Sequence, residues 1–269
     1  MQRINSLIAL GLSTTLFFSC SSDESEPTSC DPTDAEKAAV VFESNLSLDS
    51  WESNEYSGGT YGNPTGWETS NPGTSFLSEV NAHEETSDVV SGSAAKLETI
   101  AIGITGIASS TIYTGDFELD ISDPAKSAQL GVPFDKRPTS LSFSYKYTPG
   151  DNYQQFSGVT GTDIAGIDSC LVYMYLQKRD CESIQRIGTA ALQSSETISD
   201  WTQKTLDVTY GEISNAGAGF KLRPEETGWA NADETPTHVI IVFASSSAGD
   251  YFRGALGSLL FVDQISISY

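Results

Sequence analysis

From Val40 to the end of the chain, short apolar runs alternate with clusters of Gly, Pro, Ser, Asn and Asp. In Leu141–Tyr147 the odd positions are Leu141, Phe143, Tyr145 and Tyr147, and the even ones are polar. A period of two belongs to a strand with one dry face. Cys170–Leu176 is apolar on both faces, but unequally. Cys170, Val172, Met174 and Leu176 share one side, and Leu171, Tyr173 and Tyr175 share the other. The first set suits the inside of a sandwich and the second a concave outer surface. Val239–Phe243 is apolar throughout and reads as a central strand, while Leu259–Tyr269 alternates again near its end. No run sustains a helical stripe, although Thr33–Ala39 could form one turn, and no internal repeat is present. Short strands punctuated in this way predict an all-β sandwich over residues 40–269.

The amino terminus follows a different pattern. Arg3 precedes an apolar stretch from Leu7 to Phe18, interrupted by Ser13, Thr14 and Thr15. Spanning a bilayer takes about 20 apolar residues, so residues 1–19 read as a secretion signal. Leu16-Phe17-Phe18-Ser19-Cys20 resembles a lipobox, which makes Cys20 the expected site of lipidation. The acidic, serine-rich segment that follows cannot bury a core, so residues 20–39 read as a lipidated cysteine and a solvated tether. Serine and acidic residues directly after the lipidated cysteine resemble the surface-export signal of outer-membrane lipoproteins. The expected location is therefore the outer membrane, facing the cell exterior and held by lipid alone.

Composition narrows the partners. With 36 acidic against 14 basic residues, the formal net charge is −22. Such a chain repels nucleic acid and anionic lipid surfaces. Solubility outside the cell is one use of the carboxylates, and binding Ca²⁺, a hard cation that prefers oxygen ligands, is another. Of four cysteines, Cys20 would be lipidated and Cys30 lies in the tether. Cys170 and Cys181 flank a strand whose ends are on the order of 30 Å apart at about 3.3 Å per residue. A disulfide needs Cα atoms within about 7 Å, so no disulfide framework is expected. Two His, with no CxxC and no HExxH, speak against zinc.

The segment Val239-Ile-Ile-Val-Phe-Ala-Ser-Ser-Ser-Ala-Gly-Asp-Tyr-Phe-Arg-Gly-Ala-Leu-Gly-Ser-Leu-Leu-Phe-Val-Asp263 closely resembles the putative carbohydrate metabolism domain family of exported lipoproteins. Family-like pieces occur in order upstream: Phe42-Glu43 with Trp51, Gly66-Trp67 with Asn71, and Tyr113-Thr114-Gly115. Gly131-Val132-Pro133-Phe134 follows, then Arg137-Pro138 leading into Tyr145-Lys146-Tyr147. The resemblance covers about residues 41–269 and implies a jelly-roll β-sandwich similar to carbohydrate-binding modules. It does not fix a ligand. Sandwich modules of that kind often carry a structural Ca²⁺ near the first and last strands. Asp263 shares strand parity with Phe261 and Ile265, so it is expected to point toward the core. A buried carboxylate needs a partner or a metal. Glu43, expected in the first strand, is its candidate co-ligand. A bulge or a backbone hydrogen bond would serve Asp263 equally well.

Two further groups could carry binding. Gly249-Asp250-Tyr251-Phe252-Arg253-Gly254 is a loop in which Asp250 and Arg253 could fork onto sugar hydroxyls while Tyr251 offers a flat face. Equally, Asp250 and Arg253 could pair with each other. Trp67, Asn71, Tyr173, Tyr175 and Trp229 are the other ligand candidates, with Trp51 in the same aromatic set, and core packing competes at each aromatic. No catalytic residue stands out. Glycoside hydrolysis takes a spaced pair of carboxylates, which 36 acidic residues do not single out. G-x-S-x-G and Gly-rich phosphate loops are absent. The leading expectation is a non-catalytic protein that captures glycan at the cell surface, beside outer-membrane glycan-uptake proteins. A glycoside hydrolase or lyase on the same fold is the first alternative, and an adhesive protein that recognises other proteins is the second.

Overall fold

The computed structural model describes residues 42–103, 105–120, 126–214 and 220–269; the secretion signal, Cys20, Cys30 and the tether lie outside them. Two antiparallel sheets face each other. The five-stranded sheet runs in the order Ile198–Asp207, Ser140–Thr148, Leu259–Ser268, Ala94–Glu98, Ala82–Glu85. The larger sheet is ordered Thr209–Tyr210, Ile184–Ser194, Cys170–Arg179, His238–Ala244, Thr111–Tyr113, Glu68–Thr69. Gly228–Trp229 and Val132–Pro133 pair onto it from the side.

The period-two runs explain the layering. Leu141, Phe143, Tyr145 and Tyr147 meet Val172, Met174, Val239, Ile241 and Phe243 in one buried cluster between the sheets. Phe143 contacts Phe243 across the gap with ring centroids 5.2 Å apart and planes at 85°. Such edge-to-face pairs add about 0.5–1.5 kcal/mol beyond the area they bury. Trp67 and Phe42 extend the cluster toward the chain's early residues. Among the described residues no helix is long and apolar enough to cross a membrane.

Three expectations change. Phe42 and Glu43 belong to a helical turn followed by turn residues to Ser47, not to a first strand. Cys170 is a buried free thiol, and burial pushes it up to about 12. Cys181 is disulfide-bonded, although not to Cys170. The reach of an extended strand rules out the 170–181 pair, but it says nothing of a cysteine in the exposed turn that follows the strand.

The third concerns Asp263 and Glu43. In the last strand the core residues are Leu260 and Val262, then Ile265 and Ile267, so the inward parity reverses between them. The cause is a bulge: the register against Ser140–Thr148 slips between Ser142 and Ser144, and Gln264 takes a left-handed φ of 50°. Phe261 therefore faces outward, against Trp201. Asp263 is fully buried and its carboxylate is satisfied by backbone. Oδ2 accepts from the Val90 and Ser91 amides at 2.6 and 3.1 Å, and Oδ1 from the Gln264 amide at 2.7 Å. Glu43 instead receives Lys136 Nζ at 2.7 Å and the Tyr269 hydroxyl. Among the described residues no group of three or more His, Cys, Asp or Glu is arranged to hold a metal ion. The donor set does not fit Ca²⁺, because each carboxylate already has separate partners. Calcium or a chelator is accordingly expected to leave the thermal unfolding midpoint unchanged. Asp263→Asn should lower stability by about 1.5–3 kcal/mol in urea titration, through loss of charge-assisted bonds to amides.

Candidate functional site

The outer face of the larger sheet is where the second apolar set of Cys170–Leu176 emerges. Strand register lines up its residues in rows. Tyr173 lies opposite Val242, and Val242 opposite Tyr113; Leu171 lies opposite Ala244, and Ala244 opposite Thr111. Tyr113, Tyr173, Tyr175, Ile240, Val242 and Ala244 form a second buried cluster, separate from the sandwich core. These rows floor a cleft of about 340 Å³. One wall comes from the short helix Asn71–Ser75 with Phe76 and Leu77, and from Phe117 and Leu119 of the neighbouring hairpin segment. The other comes from Ile102, Ile107 and the Gly249–Phe252 turn.

That turn is positioned by buried polar groups. The Asp168 carboxylate, fully buried, accepts from the Ala255 amide at 2.8 Å and the Ser258 hydroxyl at 2.7 Å, as well as from the Ser246 hydroxyl. It thereby ties both ends of residues 246–258 to one point. Gly249 packs so closely on Ser109 that a Cβ would approach the Ser109 side chain to 2.5 Å, so a larger residue would open the wall. Phe252, which lines the cleft, holds a left-handed φ of 52°, a conformation that costs a non-glycine residue about 1–2 kcal/mol.

A charged network lies beside the floor. Tyr173 and Tyr175 stack with centroids 4.0 Å apart and planes at 18°. The Arg186 guanidinium caps the Tyr175 ring at 3.4 Å. Arg186 is fully buried and forks onto Glu226, with Nε donating to Oε1 at 2.6 Å and Nη2 to Oε2 at 2.5 Å. Glu226 also accepts from Gln177 at 2.5 Å and from the Arg223 amide at 2.7 Å. Arg223 Nη1 donates to the Tyr173 hydroxyl at 3.0 Å, closing the circuit at the cleft. Burial pushes the Tyr173 hydroxyl above its ordinary range, so it stays protonated. Desolvation by the cleft walls raises the Asp250 carboxyl, opposed by nearby Arg223 and reinforced by Glu225, although part of the residue stays open to solvent.

The candidates named from sequence divide sharply. Tyr173 and Asp250 line the cleft together, and Tyr175 lies beside Tyr173 in the same cluster. Trp229 stands at the edge of this network, its ring 5.8 Å from the Arg186 guanidinium. Tyr251 is 70% exposed and does not line the cleft. Arg253 does not pair with Asp250; Nε and Nη2 donate to Gln155 Oε1 at 3.1 and 3.0 Å. Trp67 is a core residue, packed on Phe42 and Phe243, so it is unavailable to a ligand. Asn71 is fully buried as a clamp: its amide donates to the Ala82 carbonyl at 2.7 Å, and its oxygen accepts from the Asn81 and Ala82 amides. Gly-Trp and Asn in a loop context look alike whether they pack or bind. Trp51 lines a separate, more open hollow with Tyr56, Tyr61 and His83, and its indole N–H donates to the Leu48 carbonyl at 2.7 Å.

Arg186, Arg223 and Glu226 escaped the sequence reading. Glu225-Glu226 is one acidic pair among many, and nothing local marks it as buried. The one available signal was parity: Arg186 interrupts the dry half of a strand and has Ile187, a core residue, beside it.

The residues 41–268 match the model of the putative carbohydrate metabolism domain. The chain belongs to this family. Membership gives it a carbohydrate-related role. Among solved structures, a putative glycoside hydrolase from Bacteroides thetaiotaomicron aligns with a TM-score of 0.62 at 22% identity, over 76% of this chain and 62% of that one. A putative glycoside hydrolase from Bacteroides vulgatus aligns with the same TM-score at 19% identity, over 82% of this chain and 96% of that one. At such identities the likeness is one of fold. Among curated proteins, none matches.

Removing one partner of the buried ion pair leaves the other charge uncompensated, which costs about 3–5 kcal/mol. Arg186→Met and Glu226→Gln are each expected to lower the urea unfolding free energy by about that much. The double variant should recover part of the loss, because neither charge is then stranded.

Proposed function

We propose that this protein is a lipid-anchored outer-membrane protein that binds glycan in the cleft over Tyr173. The observation that carries the reading is the co-location of aromatic surface with a carboxylate and a guanidinium. Tyr113, Tyr173, Phe76, Phe117 and Phe252 line one hollow, and Asp250 and Arg223 face the same space. A pyranose has an apolar CH face that suits a ring and a hydroxyl edge that suits a carboxylate and a guanidinium. At about 340 Å³ the cleft lies near the lower end of ligand pockets, which run from about 300 to about 1,000 Å³. Family membership supports carbohydrate as the ligand class. The net charge of −22 leaves the lipid on Cys20 as the means of staying at the membrane, beside outer-membrane glycan-uptake proteins that receive the captured chain.

A hydrolytic reading has one observation in its favour. The Asp250 carboxyl is raised by desolvation, as a general acid requires, and Asp120 is a second carboxylate lining the cleft. The two fold relatives described as glycoside hydrolases point the same way.

The purified protein is expected to bind on an array of plant, host-mucin and microbial glycans. Asp250→Ala and Arg223→Ala should each weaken that binding by about tenfold or more. Silence across all three glycan classes would sink the reading. Release of sugar from a polysaccharide panel, abolished by Asp250→Asn, would replace capture with hydrolysis. For the anchor, metabolic labelling with a fatty acid in a Gram-negative host should mark the wild-type chain. Cys20→Ala should remove the label and free the protein from the membrane fraction; label retained in that variant would refute lipidation at Cys20.

A further inference from the structure

The polarity of the cleft is uneven, and the unevenness bears on what kind of glycan it takes. Two of its three charged side chains gather with Tyr173: Arg223 donates to the Tyr173 hydroxyl, and Asp250 interacts electrostatically with both; the third, Asp120, follows Leu119. Most of the opposite wall is apolar, and its threonine and serine hydroxyls bond within the protein. It presents Phe76, Leu77, Phe117 and Leu119, of which Phe76 is 60% and Leu119 42% exposed. Large apolar side chains left open at the lip of a ligand-sized cleft mark a surface that is covered when the site is filled. A bare sugar covers such a wall poorly. Each pyranose carries hydroxyls around its whole edge, and of those turned toward Leu77, Phe117 and Leu119 the Asp120 carboxylate can serve only one or two; the rest would be desolvated without a partner, a loss that offsets the gain at the charged end. The floor adds little, since Val242 and Ala244 present only carbon and the Tyr113 hydroxyl beside them donates to the Asp116 carbonyl.

We infer that the cleft takes a sugar esterified with an aromatic acyl group, the sugar meeting Asp250 and Arg223 and the acyl ring lying against Phe76, Phe117 and Leu119. This rests on the glycan-binding reading and adds the substituent. An aryl ester has the required split character: a flat apolar ring at one end, and a hydroxyl-bearing ring at the other that needs a carboxylate and a guanidinium. No bond is made or broken. The preference for the ester arises from the apolar area removed from water against one wall.

The test compares three probes by isothermal titration calorimetry with the purified protein. They are a feruloylated arabino-oligosaccharide, the same oligosaccharide after saponification, and methyl ferulate alone. The feruloylated sugar is expected to bind about tenfold to a hundredfold more tightly than its saponified form, and more tightly than methyl ferulate. Equal affinity for the two sugars would overturn the inference and leave the glycan reading standing. Binding of neither sugar to a protein with a normal unfolding transition would remove both. Methyl ferulate binding as tightly as the conjugate would show that the sugar contributes nothing, and would overturn the inference at its polar end. Phe76→Ser and Leu119→Asp change side chains at the exposed lip, and the unfolding transition of each variant is recorded alongside. In both variants the ratio between esterified and saponified sugar should fall toward one. A ratio unchanged in both would refute the assigned position of the ring.

Discussion

The buried fork between Arg186 and Glu226 is the constraint on which the outer face of this protein depends. Two opposite charges with no solvent exposure carry a desolvation penalty of several kcal/mol each. Such a pair persists only when its remaining hydrogen-bonding positions are filled. Gln177, Thr189 and the Arg223 amide fill them. The consequence is geometric. Glu226 belongs to the segment that precedes Gly228–Trp229, whereas Arg186 projects from the Ile184–Ser194 strand. Their pairing fastens that segment to the sheet beside Tyr175. Arg223, three residues earlier, is thereby delivered to the Tyr173 hydroxyl. The polar end of the cleft is thus a by-product of a buried ion pair that itself stays out of the cavity.

A similar logic governs the other buried carboxylates. Asp168 and Asp263 are both fully buried, and both are satisfied largely by backbone amides and serine hydroxyls. Asp168 gathers the ends of residues 246–258, which carry Asp250 and Phe252. Asp263 fastens residues 90–91 over the bulge in the last strand. Neither faces the cleft. Acidity in this chain therefore has two unrelated uses, a solvated surface and a few internal clasps, and Asp250 belongs to neither. It sits in the cleft with its carboxyl raised by desolvation.

Much of the fold was legible because strand geometry writes itself into sequence with a period of two. Leu141–Tyr147 and Cys170–Leu176 announced which residues would face inward, and the outward set of the second run, Leu171, Tyr173 and Tyr175, lies on the outer face that floors the cleft. Parity failed only at the last strand. There a bulge at Asp263 and Gln264 shifts the inward set from even to odd positions, and a pattern rule has no means of seeing an inserted residue. Trp67 and Asn71 were misjudged for a different reason. Loop composition says that a residue lies between strands, not whether the loop folds inward, and these two close one end of the core.

The amino-acid sequence by itself determined the all-β class, the family, the strong negative charge and the two-faced character of the central strand. Each is a property of composition or of neighbours a few residues apart. Only the tertiary structure decided that Tyr173 would share a cleft with Asp250 rather than with Trp67, and that Arg253 would turn to Gln155. It alone also buried Arg186 against Glu226. These choices join residues 40 to 98 positions apart, and their energies come from desolvation and packing, which exist only once the two sheets have closed.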